Sequence, residues 1–382
     1  MTLSSKLPDV GTTIFTVMSK LATDLNAINL AQGFPGFDCY PYLHDLVTYY
    51  VSEGYNQYAP MSGVPIFKKR ISEKTNLVYD VHFDPEKEVT VVSGATEALF
   101  AAVTAVVRPG DEVILLEPSY DSYVPAVVLN GGVPVYVPLR LPDFSVDWDR
   151  VKSAITDKTR LIMVNTPHNP CGYVWTQNDL DTLAELIQDR EIYVVSDEVY
   201  EHITFDGRKH LPMFSHPLLK ERSFVCGSFG KTFHITGWKI GYCLAPEKLT
   251  VEFRKIHQFL TFSTATPLQY ALADFMMEPS RYLHLNGFYN RKRDIFCRGL
   301  MDTAFEFTPA HGSFFQLVSY GHLSQEPDYD LAIRMTKEIG VACIPVSVFY
   351  HDRTDHKLLR FCFAKDDAVL EKALKLLQKP LF

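Results

Sequence analysis

Six short segments, 89–93, 112–116, 133–137, 161–165, 192–196 and 224–227, are apolar on successive positions, and they constrain this chain more than any other feature. A strand with one wet face alternates apolar and polar residues, whereas a strand covered on both faces is apolar throughout. Helical patterns at 96–107 and 177–189 lie between these segments, and the alternation predicts a parallel or mixed sheet with helices on both sides. After Pro246 the pattern turns helical, with one long segment from about 280 to 301, and a smaller α/β set follows at 313–318, 341–345 and 358–364. The expected fold is therefore α/β: a large mixed-sheet α/β/α domain over 41–285 and a smaller C-terminal α/β domain over 286–382. Residues 1–40 read as an irregular arm, centred on Gln32-Gly33-Phe34-Pro35-Gly36, that lies on the other parts and completes the small domain.

Several function classes are disfavoured by composition. The net charge is −8 and the charges are dispersed, so no basic nucleic-acid footprint is present. No apolar run approaches membrane-spanning length, and residues 1–13 lack the basic start and apolar stretch of a signal peptide, which makes the cytoplasm the expected location. Seven cysteines form no C-x-x-C pair and read as reduced packing residues; 13 histidines show no H-E-x-x-H spacing, and no metal is expected.

The chemistry concentrates behind the last of the six strands, in Gly227-Ser228-Phe229-Gly230-Lys231-Thr232. A Walker A loop needs a glycine where Val225 stands, which weighs against a nucleoside triphosphate. The other reading is a Schiff base between Lys231 and an aldehyde cofactor whose phosphate is held by Ser228, Lys239 and backbone N–H groups. A lone lysine in a turn is usually only solvated, so this reading requires partners. The strand at 192–196 runs into Asp197-Glu198-Val199-Tyr200. A buried aspartate there needs a cation, and a protonated pyridine nitrogen supplies one; Tyr200 can then hydrogen-bond a phenolic oxygen on the same ring. The stretch Asn165-Thr166-Pro167-His168-Asn169-Pro170-Cys171-Gly172 brings a second amide, Asn169, to that oxygen. Ser93-Gly94-Ala95 turns a strand into a helix and offers free N–H groups to an anion.

Ser93-Gly94-Ala95, Asn169-Pro170-x-Gly172, Asp197-x-x-Tyr200 and Ser228-x-x-Lys231, followed by Gly237-Trp238-Lys239-x-Gly241, together resemble the class I aminotransferases of pyridoxal-phosphate (PLP) fold type I. The resemblance extends from Asn29-Leu30-x-Gln32-Gly33-Phe34-Pro35 to Leu359-Arg360-Phe361-Cys362-Phe363-Ala364-Lys365 and includes Asn56-Gln57-Tyr58. Within the family it is similar to the branch of bacterial methionine aminotransferases and glutamine/kynurenine transaminases, with Glu117-Pro118-Ser119-Tyr120-Asp121-Ser122-Tyr123 nearest the methionine type.

The resemblance implies Lys231 as Schiff-base lysine and proton carrier, Asp197 as partner of the ring nitrogen, Asn169 and Tyr200 on the phenolic oxygen, and Tyr120 stacked on the ring. It implies phosphate contacts from the Gly94 and Ala95 backbone, Ser228, Lys239 and, across a homodimer, Tyr58 of the neighbouring subunit. Arg360 would take the substrate carboxylate as a bidentate fork, with Gly33 closing that end. Many family members carry arginine where Lys239 stands. Phe15 and Ser263 fall where aromatic-active relatives place a tryptophan and a histidine, which disfavours kynurenine. The implied reaction is ping-pong transamination between an apolar or aromatic amino acid, methionine favoured, and a 2-oxo acid. A carbon–sulfur β-lyase would use the same lysine, aspartate and arginine; the transaminase-like segments at 29–35 and 359–365 favour transamination. A PLP-sensing regulator is disfavoured, since little sequence precedes the first motif for a DNA-binding module.

Overall fold

The computed structural model describes residues 3–380. The arm is more ordered than its sequence predicts, because helix α1 (Ile14–Asp24) and strand β1 (Ile28–Asn29) form within it. Thr13 caps the helix by accepting the Thr16 N–H, and Met18 and Ala22, four residues apart, supply its buried stripe. Helices α2 (Pro41–Ser52) and α3 (Pro65–Tyr79) follow, each with proline in its first turn, where a missing N–H costs nothing.

All six expected strands form, each within two residues of its expected bounds: β2 (Val89–Val92), β3 (Glu112–Glu117), β4 (Val133–Pro138), β5 (Thr159–Asn165), β6 (Tyr193–Asp197) and β7 (Ser223–Ser228). A seventh, β8 (Gly241–Leu244), was not expected; it runs antiparallel between β2 and β7 and makes the sheet mixed, in the order β2-β8-β7-β6-β5-β3-β4. Alternate residues of β2, β3, β5 and β6 enter different cores. Val92, Val113, Leu115, Met163 and Val195 point to one face, and Val91, Ile114, Leu116, Ile162 and Val194 to the other. One expectation fails at β4, which is an edge strand with Val133 48% exposed rather than a strand covered on both faces.

Helix α4 (Gly94–Val106) and the helix Glu247–Leu260 pack against each other over one face. The long helix expected at about 280–301 is interrupted at His284 into Ser280–Leu283 and Leu285–Leu300. Beyond it, β9 (Phe315–Ser319), β11 (Ile344–Pro345) and β12 (Leu358–Cys362) form an antiparallel sheet, while β10 (Val341–Ala342) pairs in parallel with β1. The single strand expected at 341–345 is thus two short strands serving two sheets. No helix among the described residues is long and apolar enough to cross a membrane. The parallel strands β5, β6 and β7 all end on one edge of the large sheet, at Asn165, Asp197 and Ser228, and the polar residues of the sequence motifs gather there.

Candidate active site

Strand β7 passes directly into the short helix Phe229–Thr232, where the Ser228 hydroxyl accepts the Gly230 N–H. Lys231 leaves this turn half-buried, donates to the Gly33 carbonyl at 2.8 Å, and lies over the rings of Tyr200 and Phe314. Enclosure pushes its ammonium down to about 8, so the uncharged nucleophilic amine is accessible near neutral pH. A Cβ on Gly33 would sit 2.8 Å from the tip of the buried Phe315 ring, so a larger residue there would have to displace that ring.

Asp197, at the end of β6, is buried and receives the Tyr123 hydroxyl at 2.7 Å. Burial raises its carboxyl to about 6, even though the Tyr123 hydrogen bond and the charge of Lys231 pull it down. Such a carboxylate gains most from a cation placed against it. Asn165 holds the neighbouring turn by donating to the Asp197 carbonyl at 2.8 Å and accepting the Asn169 N–H at 2.7 Å. The Asn169 side-chain oxygen in turn accepts from Arg360 at 2.8 Å, which leaves its amide nitrogen to donate into the cavity.

Arg360 on β12 is fully buried and also donates to the Ala31 carbonyl at 2.9 Å. Its guanidinium lies 4.0 Å from the Phe315 centroid, 5.2 Å from Phe15 and 5.4 Å from Phe349. Nε has no hydrogen-bond partner among the described residues, and burial lowers the group to about 10. A buried cation flanked by aromatic rings and neutral amides is arranged to receive an anion.

The same cavity holds an anion cradle. Helix α4 starts at Gly94, whose φ of +75° suits glycine, and a Cβ there would approach Lys239 Nζ to 3.1 Å. The preceding Ser93 does not cap the helix with its side chain, so the first-turn N–H groups of Gly94, Ala95 and Thr96 face a cavity that Ser228 and Lys239 also line. Backbone donors, a hydroxyl and an ammonium around a site that a Cβ would fill fit a phosphate group. With Asp197, Lys231 and Arg360 lining the same cavity as this cradle, the donor set fits PLP as a whole.

The cavity, about 260 Å³, is lined by Phe15, Gly33, Gly94, Ala95, Tyr120, Asn169, Asp197, Tyr200, Ser228, Lys231, Lys239 and Arg360, which brings twelve residues anticipated from sequence to one place. Tyr58 and Ser263 do not line it. Tyr58 is 85% exposed and its ring meets Phe262, so both residues belong to a separate outer surface of the single chain. Sequence reasoning missed Tyr123, Asn165, Phe315 and Phe349. Tyr123 and Asn165 lie inside motifs singled out for other members, but which side chain brace which partner depends on sheet order.

Residues 26–377 match the family described as aminotransferase class I and II. The chain belongs to this family. Its members depend on PLP, and this protein is an aminotransferase. It is 49% identical to the methionine aminotransferase of Escherichia coli over 98% of this chain and 97% of that one. The kynurenine–oxoglutarate transaminase of Dictyostelium discoideum is 33% identical, over 97% of this chain and 94% of the relative. Among solved structures, YbdL of Escherichia coli, reported with a methionine aminotransferase function, superposes with a TM-score of 0.97 at 48% identity and 99% coverage of both chains. Fold type I is thereby established for this aminotransferase, as its sequence motifs anticipated.

Proposed function

We propose that this aminotransferase holds PLP on Lys231 and moves the amino group of methionine to a 2-oxo acid, with other apolar and aromatic amino acids as lesser donors. The observation that carries this reading is the composition of one cavity, in which Arg360 is the cation remaining once Lys239 serves the phosphate and Lys231 the chemistry. Arg360 orients the substrate carboxylate. Lys231, released from the Gly33 carbonyl, would carry on Nζ the proton taken from the substrate Cα. When bound, PLP supplies the sink for the electrons left on Cα. Asp197, steadied by Tyr123, keeps a proton on the ring nitrogen, while Asn169 and Tyr200 donate to the ring oxygen and Tyr120 packs against the ring face. Two half-reactions sharing one lysine give ping-pong kinetics. A division into a large unit over 41–285 and a small one formed by 1–40 with 286–382 is supported by a cavity lined from both, by Gly94, Asp197 and Lys231 on one side of the division and by Phe15, Gly33, Phe315 and Arg360 on the other.

Beyond Lys231, Lys239 and Arg360, the cavity wall offers the rings of Phe15, Tyr120 and Phe315 and no further cation among its lining residues. A thioether against aromatic rings gains roughly 0.3–1.5 kcal/mol per contact, whereas a second carboxylate would be desolvated without a partner. Methionine is therefore expected to exceed aspartate by at least about a hundredfold in kcat/KM, or roughly 2.7 kcal/mol of transition-state binding. Assay of both donors against one 2-oxo acid, with product oxo acid, ammonia and thiol all measured, decides the point. Comparable rates would exclude the methionine reading, and release of thiol and ammonia together with an oxo acid that has lost the sulfur would redirect it to lyase chemistry.

The protein is further proposed to act as a homodimer in which Tyr58 reaches the neighbour's phosphate. Support comes from the surface around Tyr58, where Phe259 is 86% exposed and Leu260 and Phe262 are also open. Mixing Tyr58→Phe chains with Lys231→Ala chains should yield hybrids with one pocket carrying both defects and one carrying neither. Activity above that of the separate variants is expected, and no recovery would rule out a shared site.

A further inference from the structure

We infer that Glu97 and His257 are a buried positioning pair that holds one proton in common, stays neutral overall, and sets the geometry of the phosphate cradle. His257 projects from the helix Glu247–Leu260 and is fully buried. Its Nε2 lies 2.8 Å from the Met61 carbonyl oxygen, and its Nδ1 lies 2.5 Å from Glu97 Oε1. A main-chain carbonyl only accepts, so Nε2 must carry hydrogen. A neutral imidazole would then turn the lone pair of Nδ1 toward a carboxylate oxygen, acceptor against acceptor. The close approach requires a proton between those two atoms, which is one more than a neutral imidazole and a carboxylate hold together.

The pair reaches the cradle through the other carboxylate oxygen, Glu97 Oε2, which accepts the N–H of Ser93, the residue directly before Gly94. Glu97 thus performs the backbone anchoring that a capping serine would otherwise share, and the first-turn N–H groups stay free for the ligand. Neutrality follows a physical need, since a bare carboxylate in the first turn of α4 would oppose a phosphate dianion at the same helix end. Arg254, three residues before His257 on the helix Glu247–Leu260, is engaged by Thr90 and by the carbonyls of Glu86 and Val89. His257 also fixes Met61, and the adjoining Ser62 carbonyl accepts the Val91 N–H on β2, so the segment leading from Tyr58 is tied to the turn that carries Gly94.

The inference rests on the PLP reading above, and its test separates the two. Apoprotein is titrated with PLP and, separately, with pyridoxal, which lacks the phosphate, each followed by its visible absorbance on Lys231. His257→Phe and Glu97→Ala are expected to weaken PLP at least about tenfold while changing pyridoxal by less than about threefold, in keeping with the loss of a buried charged partner. Glu97→Gln is expected to keep PLP affinity within about threefold, because its oxygen can accept the Ser93 N–H while its amide donates to Nδ1 of a neutral imidazole. Equal losses for PLP and pyridoxal, unchanged PLP affinity in Glu97→Ala, or a Glu97→Gln variant as weak as Glu97→Ala would each overturn the pair. Should His257→Phe not fold, the two Glu97 variants decide alone. Wild-type protein that failed to take up PLP would instead overturn the cofactor reading.

Discussion

Replacing Lys231 with alanine is expected to abolish transamination and the visible absorbance of lysine-bound cofactor while leaving the fold intact. The side chain gains almost nothing from its resting contacts, a single hydrogen bond to the Gly33 carbonyl and two ring faces, yet it is held with its amine poised near neutrality. Its removal eliminates both the covalent anchor and the group that carries the proton. Together these are expected to lower kcat by at least about six orders of magnitude, as when a nucleophile acting within a unit is deleted. Single-turnover assays and circular dichroism on the same preparation check the prediction, and turnover within tenfold of wild type would falsify the assignment.

Asp197→Ala should be nearly as severe by a different route. Asp197 is buried, is held by Tyr123, and sits high for a carboxylate because burial penalises its charge in the absence of a facing cation. A protonated ring nitrogen would be that cation, and deleting one member of a buried ion pair costs about 3–5 kcal/mol. Since the charged ring is required in the transition state, kcat should fall by roughly a thousandfold. The lysine-bound absorbance should persist, shifted in its pH dependence, which distinguishes this variant from Lys231→Ala. Retention of the wild-type rate would show that another group holds the ring proton.

Local signals made much of this molecule legible. Strands β2, β3, β5, β6 and β7 are buried on both faces, so each carries apolar residues on successive positions instead of an alternation, and no knowledge of neighbours is needed to see it. The functional side chains at their ends were legible for the same reason: Asp197 directly ends a strand, and Lys231 and Asn169 follow strand ends within a few residues. Strand β8 escaped notice because it is four residues long and follows the left-handed Lys239, so its apolar stretch merges with a glycine-rich motif. Helix α1 escaped because its fully buried stripe is only Met18 and Ala22. The braces were illegible in principle. Tyr123 meets Asp197 across 74 residues, and His257 meets Glu97 across 160; neither residue type nor local spacing marks such pairs until the sheet order is known. Ser263 illustrates the converse, a position transferred from relatives that the single chain places on the Tyr58 surface rather than in the cavity.

The stretch after β1 has a property that its small side chains conceal. Its backbone carbonyls at Ala31, Gly33 and Phe34 are resting acceptors for Arg360, Lys231 and Lys365 respectively, at 2.9, 2.8 and 2.8 Å. Lys231 is anchored behind β7 and Arg360 and Lys365 on or just beyond β12, so the spacing between successive carbonyls works as a ruler laid between the group that binds a carboxylate and the group that carries the proton. Loops ordinarily tolerate an added or missing residue. Here one extra residue between Ala31 and Gly33 would move one cation's acceptor by a full residue length of about 3.3–3.6 Å, farther than a hydrogen bond can stretch. Substitution can therefore alter the chemistry of this segment more freely than insertion can alter its length.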